Sequence, residues 1–363
     1  MQNSPEIARE NINRFLCENC GANMVFDAQS GKLLCQYCGH SQEVEADGKV
    51  EERDYYSFLR TGVLQPMAET AMQVRCDGCG AIVNFTPPET ATVCSFCGAK
   101  IVAQPKAADP LVAPEGVLPF KIPPRTAMTN FNKWLGSLWF APSALKTMAT
   151  ADRLNSIYIP YWTYDAYTES RYTGERGDYY YVTQTYRENG ETKTRQVRHT
   201  RWRPASGRVS RRFDDVCVPA TKSLPRKYLE RLEPWDLHEL KSYEPAFLSG
   251  HKAQTYQVTL DEGFNRFKQI AEGVIYGDVC RDIGGDEQRV HNVSTNYSDI
   301  TFKHLLLPIY AGAYRFNGKV YQIVINGRTG EVQGERPYSW IKITLFVVTI
   351  LFIIAIWVII FGR

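Results

Sequence analysis

Hydrophobic positions along this chain follow three different patterns. At the C-terminal end, Ile343 to Phe361 are nineteen consecutive residues without a charge. As a helix rising 1.5 Å per residue they reach about 29 Å, close to the hydrocarbon thickness of a bilayer. Leu, Ile, Val and Phe fall on every face of that helix, which a core helix seldom shows. The pattern predicts one transmembrane helix over 341–361, with Trp340 and Lys342 at the interface where anchors belong.

The middle of the chain alternates between helical and strand periods. Ala127, Phe131, Trp134, Leu135 and Leu138 recur at helical spacing, and Pro142 opens a second short helix through Met148. Further helices are predicted near Pro225 to Arg231 and over Asp261 to Val279, where Phe264, Phe267, Ala271, Val274 and Ile275 share a face. Tyrosine-rich runs at Ile157–Tyr167, Tyr179–Arg187, Thr192–Arg203 and Val209–Val218 read as strands, and strands return from Arg289 to Glu331. Asn189-Gly190 and Asn317-Gly318 are two-residue hairpin signals, and the first sets Val182 opposite Val197 and Tyr180 opposite His199. These elements predict a β-rich α+β domain over 117–337, with Trp134 and Trp139 read as packed in its core and lipid contact as the alternative for both. Ile159-Pro160-Tyr161-Trp162 echoes Leu307-Pro308-Ile309-Tyr310, as duplication of a helix-plus-hairpin unit would produce.

The N-terminal part is organised by cysteine. Of ten cysteines, eight form four Cys-x-x-Cys-Gly pairs: Cys17 with Cys20, Cys35 with Cys38, Cys76 with Cys79, and Cys94 with Cys97. The second two pairs repeat the spacing of the first two. Two such knuckles, with a short hairpin between them, bring four thiolates around one ion about 2.3 Å away. The expectation is two small zinc ribbons, over 13–42 and 72–103, holding two structural zinc ions. A linker with a short helix (43–71) joins them, and a Pro-rich linker (104–116) follows. Four thiolates also accept iron, and in an oxidising compartment the pairs would form disulfides. No secretory signal is legible over Met1 to Phe15, so the domains preceding the span are expected in the cytosol, where thiols stay reduced. His40 reads as a solvated loop residue, and Cys217 and Cys280 as small buried hydrophobes.

Charge adds one local feature. Forty-two basic against thirty-nine acidic residues leave +3, too balanced to identify a nucleic-acid binder. Yet Lys193, Arg195, Arg198, Arg201, Arg203, Arg208, Arg211 and Arg212 fall in twenty residues without an acid. Three readings stay open. The run is a solvated hairpin offset by Asp214, Asp215 or Glu169, a contact for anionic lipid, or a nucleic-acid contact in which Trp202 stacks on a base. On an unbroken strand Lys193, Arg195, Arg201 and Arg203 share one face, and Arg198 and Trp202 the other. The chain holds no Gly-x-x-x-x-Gly-Lys-Ser/Thr, Gly-x-Ser-x-Gly, His-Glu-x-x-His or Gly-x-Gly-x-x-Gly. A nucleotide-driven motor is therefore excluded, and a non-enzymatic protein is expected. Asp286-Glu287 reads as a polar turn.

Over nearly its whole length the chain resembles a family of bacterial zinc-ribbon membrane proteins typified by YdjG. The resemblance rests on the cysteine knuckles and on Leu118-Pro119-Phe120-Lys121, Tyr158-Ile159-Pro160-Tyr161-Trp162, Phe213-Asp214-Asp215-Val216, Leu232-Glu233-Pro234-Trp235-Asp236 and Gly334-Glu335-Arg336-Pro337-Tyr338-Ser339. Members are often labelled primosomal protein N-prime or replication-restart helicase, a label that here lacks its motor. The resemblance implies an inner-membrane, single-pass protein in an envelope-stress or membrane-organising complex, with phage-shock protein A or SPFH-type proteins as partners.

Overall fold

The structure is a computed structural model describing residues 15–46, 48–61, 72–75, 81–85, 91–93, 96, 100–102, 106–107, 112–148, 154–188, 190–254 and 256–361. Near the N-terminus, β1 (Met24–Asp27) and β2 (Lys32–Cys35) pair as a hairpin, and β3 (Ser41–Gln42) adds to β2. Then come β4 (Arg53–Asp54) and α1 (Tyr55–Thr61). The segment of the second cysteine repeat contains β5 (Met72–Arg75), β6 (Ile82–Phe85), β7 (Ala91–Val93), β8 (Lys100–Val102) and β9 (Lys106–Ala107). Here β6 pairs with β5 and β7 with β8. The cysteines and the β6–β7 connection of this second copy lie outside the described residues.

The body begins with β10 (Gly116–Val117), α2 (Pro124–Ser137) and α3 (Ser143–Met148). Two very long strands follow, β11 (Asn155–Glu188) and β12 (Glu191–Pro219), where the sequence pattern marks four separate runs. The stretches between those runs carry Gly174, Gly177, Pro204 and Gly207, which weaken a strand signal; the register nevertheless continues through them, Gly174 opposite Ala205 and Gly177 opposite Trp202. After α4 (Arg226–Leu229), β13 (Lys241–Ser242) and β14 (Lys252–Ala253) comes α5 (Leu260–Ile283). A capping box between Thr259 and Glu262 starts that helix, and Gly284 at φ 65° ends it. The chain closes with β15 (Glu287–Phe316), β16 (Lys319–Asn326), β17 (Val332–Gly334) and α6 (Trp340–Phe361).

One sheet, in the order β12-β11-β15-β10-β13, holds the body together, and β4 and β16 also pair with β15. The two proline-bearing motifs lie side by side, with Pro160 opposite Leu306 and Pro308 opposite Tyr158. Helix α5 buries Phe264, Phe267, Ala271, Ile275, Val279 and Ile283 against the sheet, whereas Val274, placed on that face by the sequence pattern, is 38% exposed. Phe267 meets Tyr164 and Phe213 with ring centroids at 5.6 Å. Gly263 sits where α5 crosses Trp162 and Tyr164, and a Cβ there would lie 2.4 Å from the Tyr164 hydroxyl.

Candidate functional sites: a cysteine cluster, a basic arm and an apolar tail

The two knuckles of the first repeat converge. The turn Asp27 to Gly31 is closed by a hydrogen bond from the Ser30 amide to Asp27 Oδ2 at 2.8 Å, and it folds β2 back so that Cys35 and Cys38 face Cys17 and Cys20. Cys17 Sγ lies 3.5 Å from Cys38 Sγ, Cys20 Sγ lies 3.5 Å from Cys35 Sγ, and all four sulfurs fall within 4.8 Å of one another. Sulfurs at tetrahedral corners about 2.3 Å from one ion would be roughly 3.8 Å apart. The arrangement can therefore hold a metal ion.

Charge supports that assignment. The His40 amide aimed at Cys38 holds that thiol down at about 6, and the Cys38 and Tyr37 amides lower Cys35. Cys20 accepts from the Ala22 amide, yet the neighbouring sulfurs push it up to about 12. Four thiolates this close need a cation between them before all can ionise together. Cys76, Cys79, Cys94 and Cys97 lie outside the described residues. Cys217 is buried in the body, where burial pushes its thiol up; Cys280 is half-buried.

The cluster is not a free appendage. Phe26, on β1, is 3% exposed and packs edge-on against Phe247 at 5.3 Å. Its amide donates to Ser249 O at 3.0 Å, and Ser249 Oγ donates to Met24 O at 2.6 Å. Next along the chain, Glu52 reaches the buried Lys303, which also pairs with Asp215. Thr301 Oγ1 bridges Glu52 and Asp165 at 2.9 and 3.0 Å, and burial pushes the Asp165 carboxyl up to about 6. Lys303 pairs with Glu52 and Asp215, and Thr301 links Asp165 to the same cluster. Nothing in the sequence pattern marked this cluster, because its members are far apart in the chain and lie at irregularities in the strand register, between Asp165 and Tyr167 and at the positive-φ Asp215.

The basic run lies on β12, whose register with β11 is continuous from Glu191 to Phe213, so the alternation holds through it. Val182 stands opposite Val197 and Tyr180 opposite His199. β15 accompanies β11 only as far as Gly177 opposite Glu287. From Asp178 opposite Arg201 to Glu188 opposite Glu191 the sheet is therefore a two-stranded arm, about 36 Å long at roughly 3.3 Å per residue. Tyr181 is 62% exposed at its side. Lys193, Arg195, Arg201 and Arg203 share one face, with Arg201 over Tyr180 at 5.1 Å and Arg195 over Tyr186 at 5.6 Å. Arg198 lies over Tyr179 on the other face.

Of the acids expected to offset this charge, Asp215 pairs with Lys303 instead, and Glu169 stands opposite Ser210. Arg211 is held by the half-buried Asp278 of α5. Trp202 packs over Gly177 and carries the Arg289 guanidinium on its ring at 3.8 Å, so one stacking face is taken. Arg208 lines a shallow concavity of about 570 Å³ on the open face of the sheet with Glu169, Arg171, Ser210, Ser294 and Asn296. Arg212 stands opposite Tyr167 on that same face.

The other motifs singled out in the sequence are built into the body. Arg328 is 7% exposed and forks onto Asp236, with a further bond to Pro119 O at 3.0 Å. Tyr158, Tyr161 and Trp162 are buried, and Trp235 packs on Tyr161. Helix α6 is different. Trp340–Ile360 has a mean hydropathy of 3.2 and no part of it is buried, which makes it long and apolar enough to cross a membrane.

This arrangement has a relative. The chain is 28% identical to the uncharacterized protein YdjG of Bacillus subtilis (strain 168) over 330 residues, 90% of each chain. No family model matches the chain. No solved structure matches it. The similarity reaches from the cysteine-bearing part into the body, and the relative's name assigns neither a zinc ribbon nor a replication activity.

Proposed function

We propose that the protein is a non-enzymatic adaptor, anchored by α6 in the cytoplasmic membrane with its N-terminal domains in the cytosol. The cysteine repeats hold two structural zinc ions, and the β11–β12 arm presents arginines to an anionic partner. The observation that carries this reading is the arm itself. Eleven residue pairs of sheet extend past the third strand and past the end of α5, with basic side chains on both faces. An isolated two-stranded ribbon is marginal alone, and ranks of arginine lying on tyrosine make it a contact surface.

Anionic lipid is the favoured partner surface, and a phage-shock or SPFH-type protein would fit the same complex. Nucleic acid is the second reading; the Arg289 cap on Trp202 weighs against it. The test holds the full chain in neutral-lipid nanodiscs and titrates it with phosphatidylglycerol vesicles and, separately, with DNA and RNA. Vesicle capture that weakens in salt and disappears on changing Arg195, Arg201 and Arg203 to Glu supports the reading. Retention on nucleic acid at physiological salt, without vesicle capture, would reverse it.

A further inference from the structure

The sequence pattern placed Trp139 in the core, but it is 75% exposed, although Leu138 and Ala141 beside it are buried. It sits in the turn between α2 and α3, and that turn is tied to the start of α6, two hundred residues later. The Ser339 amide donates to Phe140 O at 2.7 Å. Lys342 Nζ donates to Ala141 O at 2.8 Å and to Trp139 O at 3.4 Å. One turn further along α6, Phe346 meets the Phe140 ring edge-on at 5.4 Å. Around this junction Tyr338, Trp340 and Ile341 are 53%, 79% and 82% exposed.

Indole and phenol rings have an apolar body and a polar edge, so they settle where hydrocarbon meets headgroups. Trp340 and Tyr338 reach that depth because they adjoin the span. Trp139 lies two hundred residues before the span, and the hydrogen bonds from Ser339 and Lys342 bring it to the same level.

We propose that the α2–α3 turn is a second membrane contact: Trp139 enters the headgroup region of the bilayer that α6 crosses. The body then rests on the lipid surface at two points instead of swinging from one tether. This inference rests on α6 spanning a membrane, and its partner is the bilayer interface itself.

The test uses the full chain reconstituted in vesicles whose lipids are brominated either high on the acyl chains or near their ends. Bromine quenches tryptophan at its own depth. The emission lost between parent and Trp139→Phe reports Trp139, and that lost in Trp357→Phe reports the span. The inference expects the Trp139 emission to fall at least about twofold with shallow bromine and less with deep bromine, as an interfacial ring requires. Trp139 emission that is water-like and unquenched while Trp357 is quenched overturns this inference and leaves the anchor standing. Failure to quench Trp357 overturns both. Because Trp139 is exposed, the Phe variant should keep the parent's near-ultraviolet dichroism, and that spectrum checks folding.

Discussion

Gly263 and Gly273 lie on the same helix, and the same substitution should act on them with opposite sign. A Cβ at Gly263 would lie 2.4 Å from Tyr164 Oη and 2.8 Å from Trp162 Cδ1. Neither ring can retreat. Both are 0% exposed, and their polar atoms are committed, Tyr164 Oη donating to Leu260 O at 2.6 Å and Trp162 Nε1 to Val258 O at 2.9 Å. Gly263→Ala therefore gains about 1 kcal/mol of helix propensity. Against that stand about 1–3 kcal/mol of overpacking and about 1–3 kcal/mol for each buried hydrogen bond pulled out of line. The net expectation is a loss of about 2 kcal/mol or more, a fall in Tm of roughly 4–8 °C for a body of this size. At Gly273 no atom lies within 4 Å of the added carbon, so Gly273→Ala should stabilise by about 0.5–1 kcal/mol. Thermal unfolding of the full chain in detergent, followed by tryptophan emission, reads both. If Gly263→Ala matches or exceeds the parent, the packing of α5 on Trp162 and Tyr164 is wrong.

Elemental analysis of chain purified without chelator should find two zinc ions, falling to about one in Cys17→Ser/Cys20→Ser with new protease sensitivity near β1; iron, or a parent with fewer than about 1.5 zinc, contradicts this. Lys303→Met leaves Glu52 and Asp215 without their cation and should cost about 3–5 kcal/mol at neutral pH, measured as a Tm shift; a neutral effect would show that the acids do not depend on it. Burial pushes Glu115 up to about 7 despite Arg53 beside it. Its folded pKa lies above its unfolded one, so the cost of ionising it fades as pH falls from 7 toward 4.5. The parent should gain on the order of 3 kcal/mol relative to Glu115→Gln across that window, and a flat difference between pH 8 and pH 4.5 would rule this out. For sidedness, a reporter fused at Met1 should be active only in the cytosol.

What was legible in the sequence were features governed by near neighbours. The apolar tail, the first cysteine hairpin, the helical run of α2 and the face of α5 through Phe264, Phe267, Ala271 and Ile275 follow from local period and turn chemistry. The arm's register followed from one dipeptide, since a two-residue turn fixes every pair behind it. The length of the strands was not legible, because Gly177 and Pro204 look like breaks until the pairing of β11 with β12 carries the chain across them. The Lys303 cluster and the tie between Trp139 and α6 were hidden for another reason. Each joins residues fifty or more positions apart, and no local pattern records such a meeting. Trp139 illustrates it: core packing is its favoured reading from the sequence, and its tie to the start of α6 is visible only in space.

The adaptor reading is tested most directly in the native membrane. Parent chain and chain carrying Arg195, Arg201 and Arg203 as Glu would each be extracted mildly from cross-linked membranes, and their bound proteins and lipids counted by mass spectrometry. The account predicts that both chains stay in the membrane fraction with equal zinc, and that the charge-reversed arm loses the acidic partners or anionic lipid the parent retains. Identical partner sets on the two chains would contradict it.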